Sequence, residues 1–535
     1  MTEQGHGGLA ATHALKKLGV DHLFTLSGGH IFPIFDGCKQ DDIRIVDVRH
    51  EQNAVFAAEG WARLNRSLGV AAVTAGPGVT NSISPLAQAK FNAAPVLLLA
   101  GRAPAFRWGQ GSLQEIDHVP FVDPIAPATT VTDTAAIASE VIAAALDALS
   151  PPRGPRFVDF PLDVLFNNTD ITLEDAKPAV SVAIENGDVD DIVRLLAAAQ
   201  RPVIVAGSNV YLDRAEEHLV KLVEQAEIPV FVNGQGRGCI PADHPLAFAR
   251  ARSKAFKEAD LVIVAGTPLD FRLGFGQFGD AKVVHIDRGR IAEHVPLAAS
   301  LDAPTDVAFE AMHRSLQQRP DTKEWVRALR AAEEEKRDAA QIELRSDQTP
   351  IHPMRVYGEL VPLLDRDAIV IGDGGDFVSY AGREVPSYEP GCWLDPGPFG
   401  CLGVGPGYAM AARLAHPDRQ VVLLYGDGAL GFSGVELESF VRHQLPVVAI
   451  VGNNGIWGLE KHPMQALYGF DVAADLQPGL RYDQMMEAFG GRGELVTEPD
   501  ELTPALMRAL GSGEPTLVNV LTDPGIAYPR SSNLA

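Results

Sequence analysis

The sequence has few cysteines, no long apolar run and too few basic residues to balance its acidic ones. Its cysteines lie far apart and form neither a CxxC pair nor a disulfide framework, which excludes a structural zinc site of that type and is typical of a reducing compartment; they are Cys38, Cys239, Cys392 and Cys401. No stretch approaches the roughly 18 uninterrupted apolar residues of a membrane span, and the N-terminus has no basic region followed by an apolar core. We therefore predict a cytoplasmic protein that does not associate with membranes.

The charge balance argues against polyanionic partners. The chain has 45 Lys and Arg residues against 69 Asp and Glu, a formal net charge of −24. This charge repels nucleic acid and anionic membrane surfaces, so we predict that the protein binds neither. With 46% hydrophobic and 21% charged residues in 535, the composition is that of a globular protein with a large core.

Short apolar runs of strand length alternate with helical segments along the whole chain. The runs lie at 70–76, 95–101, 202–208, 261–267, 421–428 and 447–454. Several of them end in glycine, as strands do before the turn to a helix in open α/β sheets. Polar segments near 165–190 and 318–350 interrupt the series. We predict three Rossmann-like α/β domains with parallel sheets, at 1–168, 186–325 and 351–535. A nicotinamide oxidoreductase would also be α/β, but the sequence lacks an intact GxGxxG fingerprint.

Two polar motifs follow neighbouring predicted strands in the last third of the chain. One strand runs into the sequence GDG at 426–428, and the next ends in NN at 453–454. Carboxylate and carboxamide oxygens at adjacent strand ends suit a hard cation, and glycines let backbone N–H groups approach a phosphate. We predict Mg²⁺ with a diphosphate, held by the side chains of Asp427 and Asn454 and the backbone carbonyl of Ile456. The alternative is a tight turn and a strand cap.

The spacing between these motifs, with 24 residues separating Gly428 from Asn453, is the signature of thiamine-diphosphate enzymes. The chain resembles their acetolactate-synthase-like superfamily over nearly its whole length. The segments LSGGHIFPIFDG, RHEQNAVFAAEGWAR, TAGPGVTN and GSLQEIDHV look most like the 2-hydroxyacyl-CoA lyases, oxalyl-CoA decarboxylases and benzaldehyde lyase. The resemblance implies an N-terminal domain that binds the aminopyrimidine, a central domain and a C-terminal domain that binds the diphosphate and Mg²⁺. It also implies a homodimer or homotetramer with active sites between subunits.

The resemblance assigns the residues that bind and activate the cofactor. Glu51 matches the glutamate that donates to N1′ of the pyrimidine, and the neighbouring Val55 and Phe56 are consistent with a desolvated carboxyl group. Leu402 matches the bulky apolar residue that bends the cofactor. The remaining matches reach the cofactor through the backbone or the cation; they are Gly28, Gly29, Gly426, Asp427, Gly428, Ala429, Asn454 and Ile456. For TAGPGVTN, a purely structural turn is an equal alternative.

Three side chains are expected to face the reacting carbon: His30, Gln114 and Glu460. His30 follows the glycine pair, as a histidine does in benzaldehyde lyase, and Gln114 lies in SLQEID, where relatives use glutamine to bind substrate or intermediate. A carboxylate at Glu460 could take up the hydroxyl proton of an adduct as the carbon–carbon bond breaks and then return it. The alternatives are ordinary packing for His30 and an exposed ion pair for Glu460.

The substrate is inferred from departures from acetolactate synthases. Those enzymes have an apolar residue at the position of Glu460, a tryptophan at that of Pro463 and a lysine at that of Pro127. These departures favour a 2-hydroxyacyl-CoA lyase that forms formyl-CoA and an aldehyde or ketone, in a reversible acyloin condensation. The alternative is an acetolactate synthase that condenses two pyruvates. A noncatalytic cofactor-binding protein would not need Glu51.

An acyl-CoA substrate requires a local cluster of positive charge in this acidic protein. Candidates chosen by sign and location are Arg252, Lys254, Arg272 and Arg530, and the C-terminal YPRSSNLA resembles the closing segment of CoA-handling relatives. Relatives place FAD, ADP or nothing in the central domain. ADP or a CoA nucleotide there stays an open alternative, with Asp287 either holding a ribose hydroxyl or capping its strand.

Overall fold

The computed structural model describes residues 3–173, 184 and 186–529. Its internal contacts divide them into two compact units. The first contains the described residues up to 173 together with 396–417 and 432–447. The second contains 184, 186–395, 418–431 and 448–529.

The N-terminal part folds around one parallel sheet. Its strands are β1 (Glu3–His6), β2 (His22–Thr25), β3 (Arg44–Asp47), β4 (Gly69–Val73), β5 (Val96–Arg102), β6 (Ala128–Thr130), β7 (Arg156–Pro161) and β8 (Asn168–Ile171). Its helices are α1 (Gly7–Lys17), α2 (Phe32–Gln40), α3 (Glu51–Asn65), α4 (Pro77–Thr80), α5 (Ile83–Phe91), α6 (Val119–Val122), α7 (Ile137–Leu149) and α8 (Leu162–Phe166). Six strands pair in the order β3-β2-β4-β5-β7-β6, all parallel, and β1 pairs antiparallel with β8.

The central part contains a second six-stranded parallel sheet, in the order β11-β10-β9-β12-β13-β14. Its strands are β9 (Pro202–Ala206), β10 (Val230–Val232), β11 (Ala247–Phe248), β12 (Leu261–Ala265), β13 (Lys282–Ile286) and β14 (Ala299–Leu301). Its helices are α9 (Asp190–Ala198), α10 (Ser208–Leu212), α11 (Glu216–Ala226), α12 (Arg252–Glu258), α13 (Thr305–Ser315) and α14 (Lys323–Leu344).

The C-terminal part contains the third sheet, in the order β16-β15-β17-β18-β20-β19, again parallel throughout. Its strands are β15 (Ile369–Asp373), β16 (Trp393–Leu394), β17 (Val421–Gly426), β18 (Val448–Asn453), β19 (Arg492–Val496) and β20 (Thr516–Leu521). Its helices are α15 (Pro353–Leu360), α16 (Gly375–Glu384), α17 (Gly405–Ala415), α18 (Asp427–Ser433), α19 (Leu437–Arg442), α20 (Gly458–Tyr468), α21 (Tyr482–Ala488) and α22 (Leu502–Leu510).

These sheets confirm the predicted three-domain α/β fold. The six apolar runs form β4, β5, β9, β12, β17 and β18, which are buried along almost their whole length, as strands covered by helices on both faces must be. The domain boundaries stay a prediction. None of the helices within the described part of the chain is long and apolar enough to cross a membrane.

Helix α17 packs on α3 inside the first unit, although it comes from the C-terminal part of the sequence. The approach is close because small residues face it: a Cβ added at Gly407 would lie 2.7 Å from the Cβ of Phe56. A buried polar cluster accompanies this packing. Glu59 and Arg63 of α3 pair at 3.6 Å, and the Arg63 guanidinium donates to the Tyr408 hydroxyl at 3.0 Å. Because these groups are buried, each depends on the others for its hydrogen bonds.

Candidate active site

The loops after β17 and β18 bring the predicted cation ligands together. The two strands lie side by side, with Gly426 level with Gly452, so the residues that follow them meet at one edge of the sheet. The Asp427 carboxylate is 3% exposed. Its Oδ1 accepts the Gly428 N–H at 3.0 Å and its Oδ2 accepts the Gly455 N–H at 2.7 Å. The carboxylate therefore joins the two loops.

Asn454 lies beside this carboxylate and contacts a second one. Its Oδ1 accepts the Ile456 N–H at 3.2 Å, and its Nδ2 donates to Oδ2 of Asp376, on the first turn of α16, at 3.4 Å. Within the described ranges, no group of three or more His, Cys, Asp or Glu residues is placed to hold a metal ion. The predicted set differs from such a cluster, because it combines one carboxylate with a carboxamide and a backbone carbonyl.

The electrostatics of this loop pair suit a cation. Burial raises the pKa of Asp427 to about 6, partly offset by the two backbone N–H donors, and the charge of Asp376 raises it further. Burial also raises the pKa of Tyr482 to about 12, with a contribution from the charge of Asp427. A divalent ion would neutralise the excess negative charge that the fold holds here.

The backbone next to Asp427 leaves room for a phosphate. A Cβ added at Gly426 would have no atom within 4 Å, so this part of the turn is open. At Gly428 an added Cβ would lie 2.5 Å from the ring of Trp457, so any side chain there would displace the indole. Ala429 is buried in the first turn of α18. The predicted residues thus fit a diphosphate with its cation.

In the first unit, Glu51 begins α3 and is 8% exposed. Its Oε2 accepts a hydrogen bond from Asn81 Nδ2 at 3.0 Å. The turn before it is held by Glu436, whose oxygens accept the Arg49 N–H at 3.0 and 3.1 Å. The carboxyl group of Glu51, the predicted acid, is therefore almost fully removed from water. It lies at a helix start that hydrogen bonds hold in place.

His30 and Gln114 are joined through Thr74. The His30 Nδ1 lies 3.0 Å from the Thr74 Oγ1, which donates to the Gln114 Oε1 at 3.3 Å. Burial lowers the pKa of His30, the Leu113 backbone opposes this shift and His118 adds to it. The structure therefore brings together two of the three residues predicted to face the reacting carbon.

The glycine pair and Leu402 occupy tightly constrained loops. A Cβ at Gly28 would lie 2.3 Å from the Cβ of Thr74, whereas one at Gly29 would meet no atom within 4 Å. Gly28 is thus required by packing, and Gly29 presents open backbone. Leu402 is partly buried, and the residue before it is fixed because the Cys401 N–H donates to the Gln88 Oε1 at 3.0 Å.

Glu460 lies in the first turn of α20 and is exposed. The alternative interpretation pairs it with Lys461 or another neighbour, and Lys461 pairs with Asp471 and Asp475. Pro463 lies inside this helix. A groove of about 610 Å³ is lined by the loop at 454–456 and by Lys461, His462 and Gln465 of α20.

The basic residues proposed for CoA are already paired. Arg252 donates to the Val232 and Arg272 carbonyls, Lys254 pairs with Glu258, and Arg272 pairs with Asp270. They do not form an open cationic cluster, because each is committed to a neighbouring group. Arg530 lies outside the described residues.

Asp287 follows β13 and is buried. Its Oδ1 accepts from Asn209 Nδ2 at 2.7 Å, while its Oδ2 has no hydrogen-bond partner among the described residues. Burial raises its pKa to about 6. Oδ1 also accepts the Arg288 N–H at 2.9 Å, so Asp287 caps the end of its strand while Oδ2 is left as an acceptor for a ligand hydroxyl group.

Several residues of these networks are absent from the predicted site; they are Thr74, Asn81, His118, Asp376, Tyr482 and Glu436. Thr74 and Asn81 belong to the TAGPGVTN segment, so the functional interpretation of that segment was the signal that could have found them. His118 lies in the GSLQEIDHV segment, while Asp376, Tyr482 and Glu436 interact with residues that are far from them in sequence.

Comparisons with known proteins agree with this geometry. Family models of the thiamine pyrophosphate enzymes match the N-terminal TPP binding domain at residues 6–121, the central domain at 189–303 and the C-terminal TPP binding domain at 373–520. The chain is 54% identical to the acetolactate synthase large subunit IlvG of Mycobacterium tuberculosis, over 99% of this chain and 98% of that protein. It is 36% identical to 2-hydroxyacyl-CoA lyase 2 of Caenorhabditis elegans (96% and 89%) and 34% identical to the human protein of that name (96% and 90%). The chain therefore belongs to the thiamine pyrophosphate enzymes, as a thiamine-diphosphate-dependent enzyme of the lyase or carboligase type.

Proposed function

We propose that the chain is an acetolactate synthase, which joins two pyruvate molecules into 2-acetolactate with loss of one CO₂. The observation that carries this proposal is the 54% identity, over nearly the full length of both chains, to a protein named as an acetolactate synthase. The 2-hydroxyacyl-CoA lyases reach 33–36%. This relationship reverses the preference drawn from Glu460, Pro463 and Pro127, which placed the lyase first.

When bound, thiamine diphosphate supplies a carbon nucleophile and stabilises the negative charge left on the donor carbon after decarboxylation. Glu51 would hold a proton toward N1′ of the pyrimidine. Because Asn81 engages its Oε2, we assign that proton to Oε1. The almost complete burial of this side chain keeps water from competing for the proton.

The cofactor's diphosphate would be held through Mg²⁺ by Asp427, Asn454 and the carbonyl of Ile456. Backbone N–H groups from Gly426 to Ala429 would face the phosphate oxygens at the start of α18. Gly29 would offer open backbone to the aminopyrimidine. Leu402 would supply the bulky apolar side chain that packs against the cofactor.

His30 and Gln114 would act on the substrate oxygen. Because burial lowers its pKa, the His30 ring is neutral near pH 7 and can take up a proton from that oxygen or return it. Gln114 would orient the same substrate through its amide group. Thr74 fixes both side chains relative to each other.

A 2-hydroxyacyl-CoA lyase is the second candidate, and Glu460 favours it. The carboxylate lies in the first turn of α20, one residue before Lys461, which lines a groove together with Asn454. In this function it would relay the hydroxyl proton as the carbon–carbon bond of a 2-hydroxyacyl-CoA breaks. Formyl-CoA and an aldehyde or ketone would be the products.

A substrate comparison tests the choice. The purified protein, with thiamine diphosphate and Mg²⁺, is given pyruvate in one assay and a 2-hydroxyacyl-CoA in another. We expect acetolactate from the first and no formyl-CoA from the second, and the opposite pattern would overturn the proposal. Glu460→Ala discriminates further, because loss of a proton relay lowers lyase turnover by about 10²-fold or more.

Other parts of the expected function stay proposals. The unpartnered oxygen of Asp287 supports ADP or a CoA nucleotide at the central sheet, through a hydrogen bond from a ribose hydroxyl. Equilibrium dialysis with ADP, comparing the wild type with Asp287→Ala, tests it. Assembly as a homodimer or homotetramer and a cytoplasmic location stay predictions.

A further inference from the structure

A second histidine lies behind the His30, Thr74 and Gln114 network, in a fully buried position. The Gly76 N–H donates to His118 Nε2 at 3.1 Å, and His118 Nδ1 lies 2.8 Å from Asp159 Oδ2. Neither His118 nor Asp159 is exposed to solvent. Arg102 completes the arrangement, because its guanidinium donates to the same Asp159 oxygen at 3.1 Å.

These partners fix the ring tautomer of His118. A backbone N–H can only donate, so Nε2 must present its lone pair to Gly76. The ring proton is therefore on Nδ1, where it is donated to the Asp159 carboxylate. Both ring nitrogens of His118 are therefore held, Nε2 by the Gly76 N–H and Nδ1 by the carboxylate that also accepts from Arg102.

The hydrogen bond to Gly76 acts on the turn that carries Thr74. Gly76 has a φ of +61°, and a Cβ added there would lie 2.9 Å from the Cβ of Gln114. Gln114 itself has a φ of +60°, a left-handed conformation that a non-glycine residue rarely adopts unless its surroundings hold it. The Gly76 turn is thus in direct contact with Gln114. Gly76 comes two residues after Thr74, which donates its hydrogen bond to Gln114.

The other end of the network is also close to His30. A Cβ added at Gly101 would lie 2.3 Å from the Cβ of His30, and Gly101 precedes Arg102 on β5. Displacement of the Arg102 and Asp159 pair would therefore reach His30 through the backbone as well. No predicted site residue performs this supporting function.

We propose that His118 is a positioning residue that holds the 74–76 turn, and thereby keeps Thr74 between His30 and Gln114. The proposal rests on the proposed function, in which His30 and Gln114 act on the substrate. A displacement of about 1 Å in such groups can lower turnover by about 10²-fold. His118 does not touch the substrate, so its replacement acts on kcat more than on KM.

Three variants test the proposal with pyruvate as substrate. His118→Phe keeps the ring volume, next to Phe121 and Phe157, but removes both hydrogen bonds. His118→Gln can still accept from Gly76 and donate to Asp159. Asp159→Asn keeps the size of the side chain but replaces one carboxylate oxygen, an acceptor, by an NH₂ group, which can only donate. We expect kcat to fall by about 10-fold to 100-fold for His118→Phe and Asp159→Asn, with KM within about threefold, and to recover largely for His118→Gln.

A matched control separates positioning from general destabilisation. His285, in the second unit, is also fully buried and accepts a backbone N–H, from Ala292 at 3.0 Å. His285→Phe should lower the melting temperature as much as His118→Phe while leaving kcat per folded enzyme within about twofold. Equal kcat losses for both variants, or wild-type kcat for His118→Phe, would overturn the positioning role.

A measurement without turnover keeps this inference separate from the proposed function. In protein labelled with ¹⁵N-histidine, solid-state NMR should assign the Nδ1–H tautomer to the ring whose signals disappear in His118→Gln. An Nε2–H tautomer would contradict the network. If wild-type protein forms no acetolactate, the proposed function fails, while the tautomer and the same variants assayed for 2-hydroxyacyl-CoA cleavage still decide the role of His118.

Discussion

Replacement of Glu51 by glutamine tests the proposed activation of the cofactor while leaving the fold intact. The side chain keeps its length, and an amide oxygen can still accept the hydrogen bond from Asn81 Nδ2 that Oε2 now receives at 3.0 Å. Glu436 continues to hold the Arg49 N–H before the helix start. What the variant loses is an acidic proton on the other side-chain oxygen.

The expected loss follows from the value of a positioned acid or base. Such a group contributes about 10²-fold to 10⁴-fold in rate, which corresponds to about 3–5 kcal/mol of transition-state stabilisation. We therefore expect kcat for acetolactate formation in Glu51→Gln to fall by at least about 10²-fold, with the melting temperature nearly unchanged.

Glu140→Gln is the matched control. It makes the same chemical change in the first turn of another helix, α7, but on an exposed side chain. Both variants are assayed for acetolactate at saturating cofactor and Mg²⁺, so that weaker cofactor binding does not mimic a slower step. Turnover in Glu51→Gln equal to that of the control would refute the assignment of Glu51.

Three further predictions concern the cation, the buried pair and Asp287. Asp427→Asn should weaken cofactor binding at least about tenfold, and EDTA should do the same for the wild type. Binding is followed by the fluorescence of Trp457, which lies beside Gly428. The exposed control Asp418→Asn should bind the cofactor like the wild type. Glu59→Ala should destabilise the fold by about 3–5 kcal/mol in urea unfolding, because it removes the carboxylate that pairs with the buried Arg63. Glu59→Met with Arg63→Met should recover most of the loss. The pKa of Asp287 is raised from its unfolded value of 3.8 to about 6. The ionised buried carboxylate therefore costs no folding free energy below about pH 4 and roughly 3 kcal/mol above about pH 6. As the pH rises through this range, Asp287→Asn should gain thermal stability relative to wild type, and exposed Asp280→Asn should not.

The architecture was predictable because its signals are local. Each buried parallel strand is a continuous apolar run that ends in glycine or a polar residue, so β4, β9 and β17 can be read from a few residues of sequence. The sequence also predicted that Asp427 and Asn454 lie near each other, since the carboxyl ends of adjacent parallel strands lie at one edge of a sheet.

The supporting contacts were not predictable because they join residues that are distant in sequence. Glu436 accepts the N–H of Arg49, and His118 accepts that of Gly76, 42 residues away in sequence. A buried polar side chain looks the same in sequence as an exposed one until the fold supplies its partner. The assignment of α17 to the first unit has the same cause, since its packing on α3 depends on small residues such as Gly407.

The choice of substrate depends on which of these side chains the fold holds in place. Specificity is a difference in transition-state stabilisation, and only a group with a fixed position can supply it repeatedly. Glu460, from which the lyase was inferred, is an exposed residue on the first turn of α20. His30 is instead held by Thr74 and packed against Gly101. Its neutral, buried ring serves condensation or cleavage equally well, so this part of the site defines the class of chemistry. One exposed carboxylate is a weak basis for excluding pyruvate.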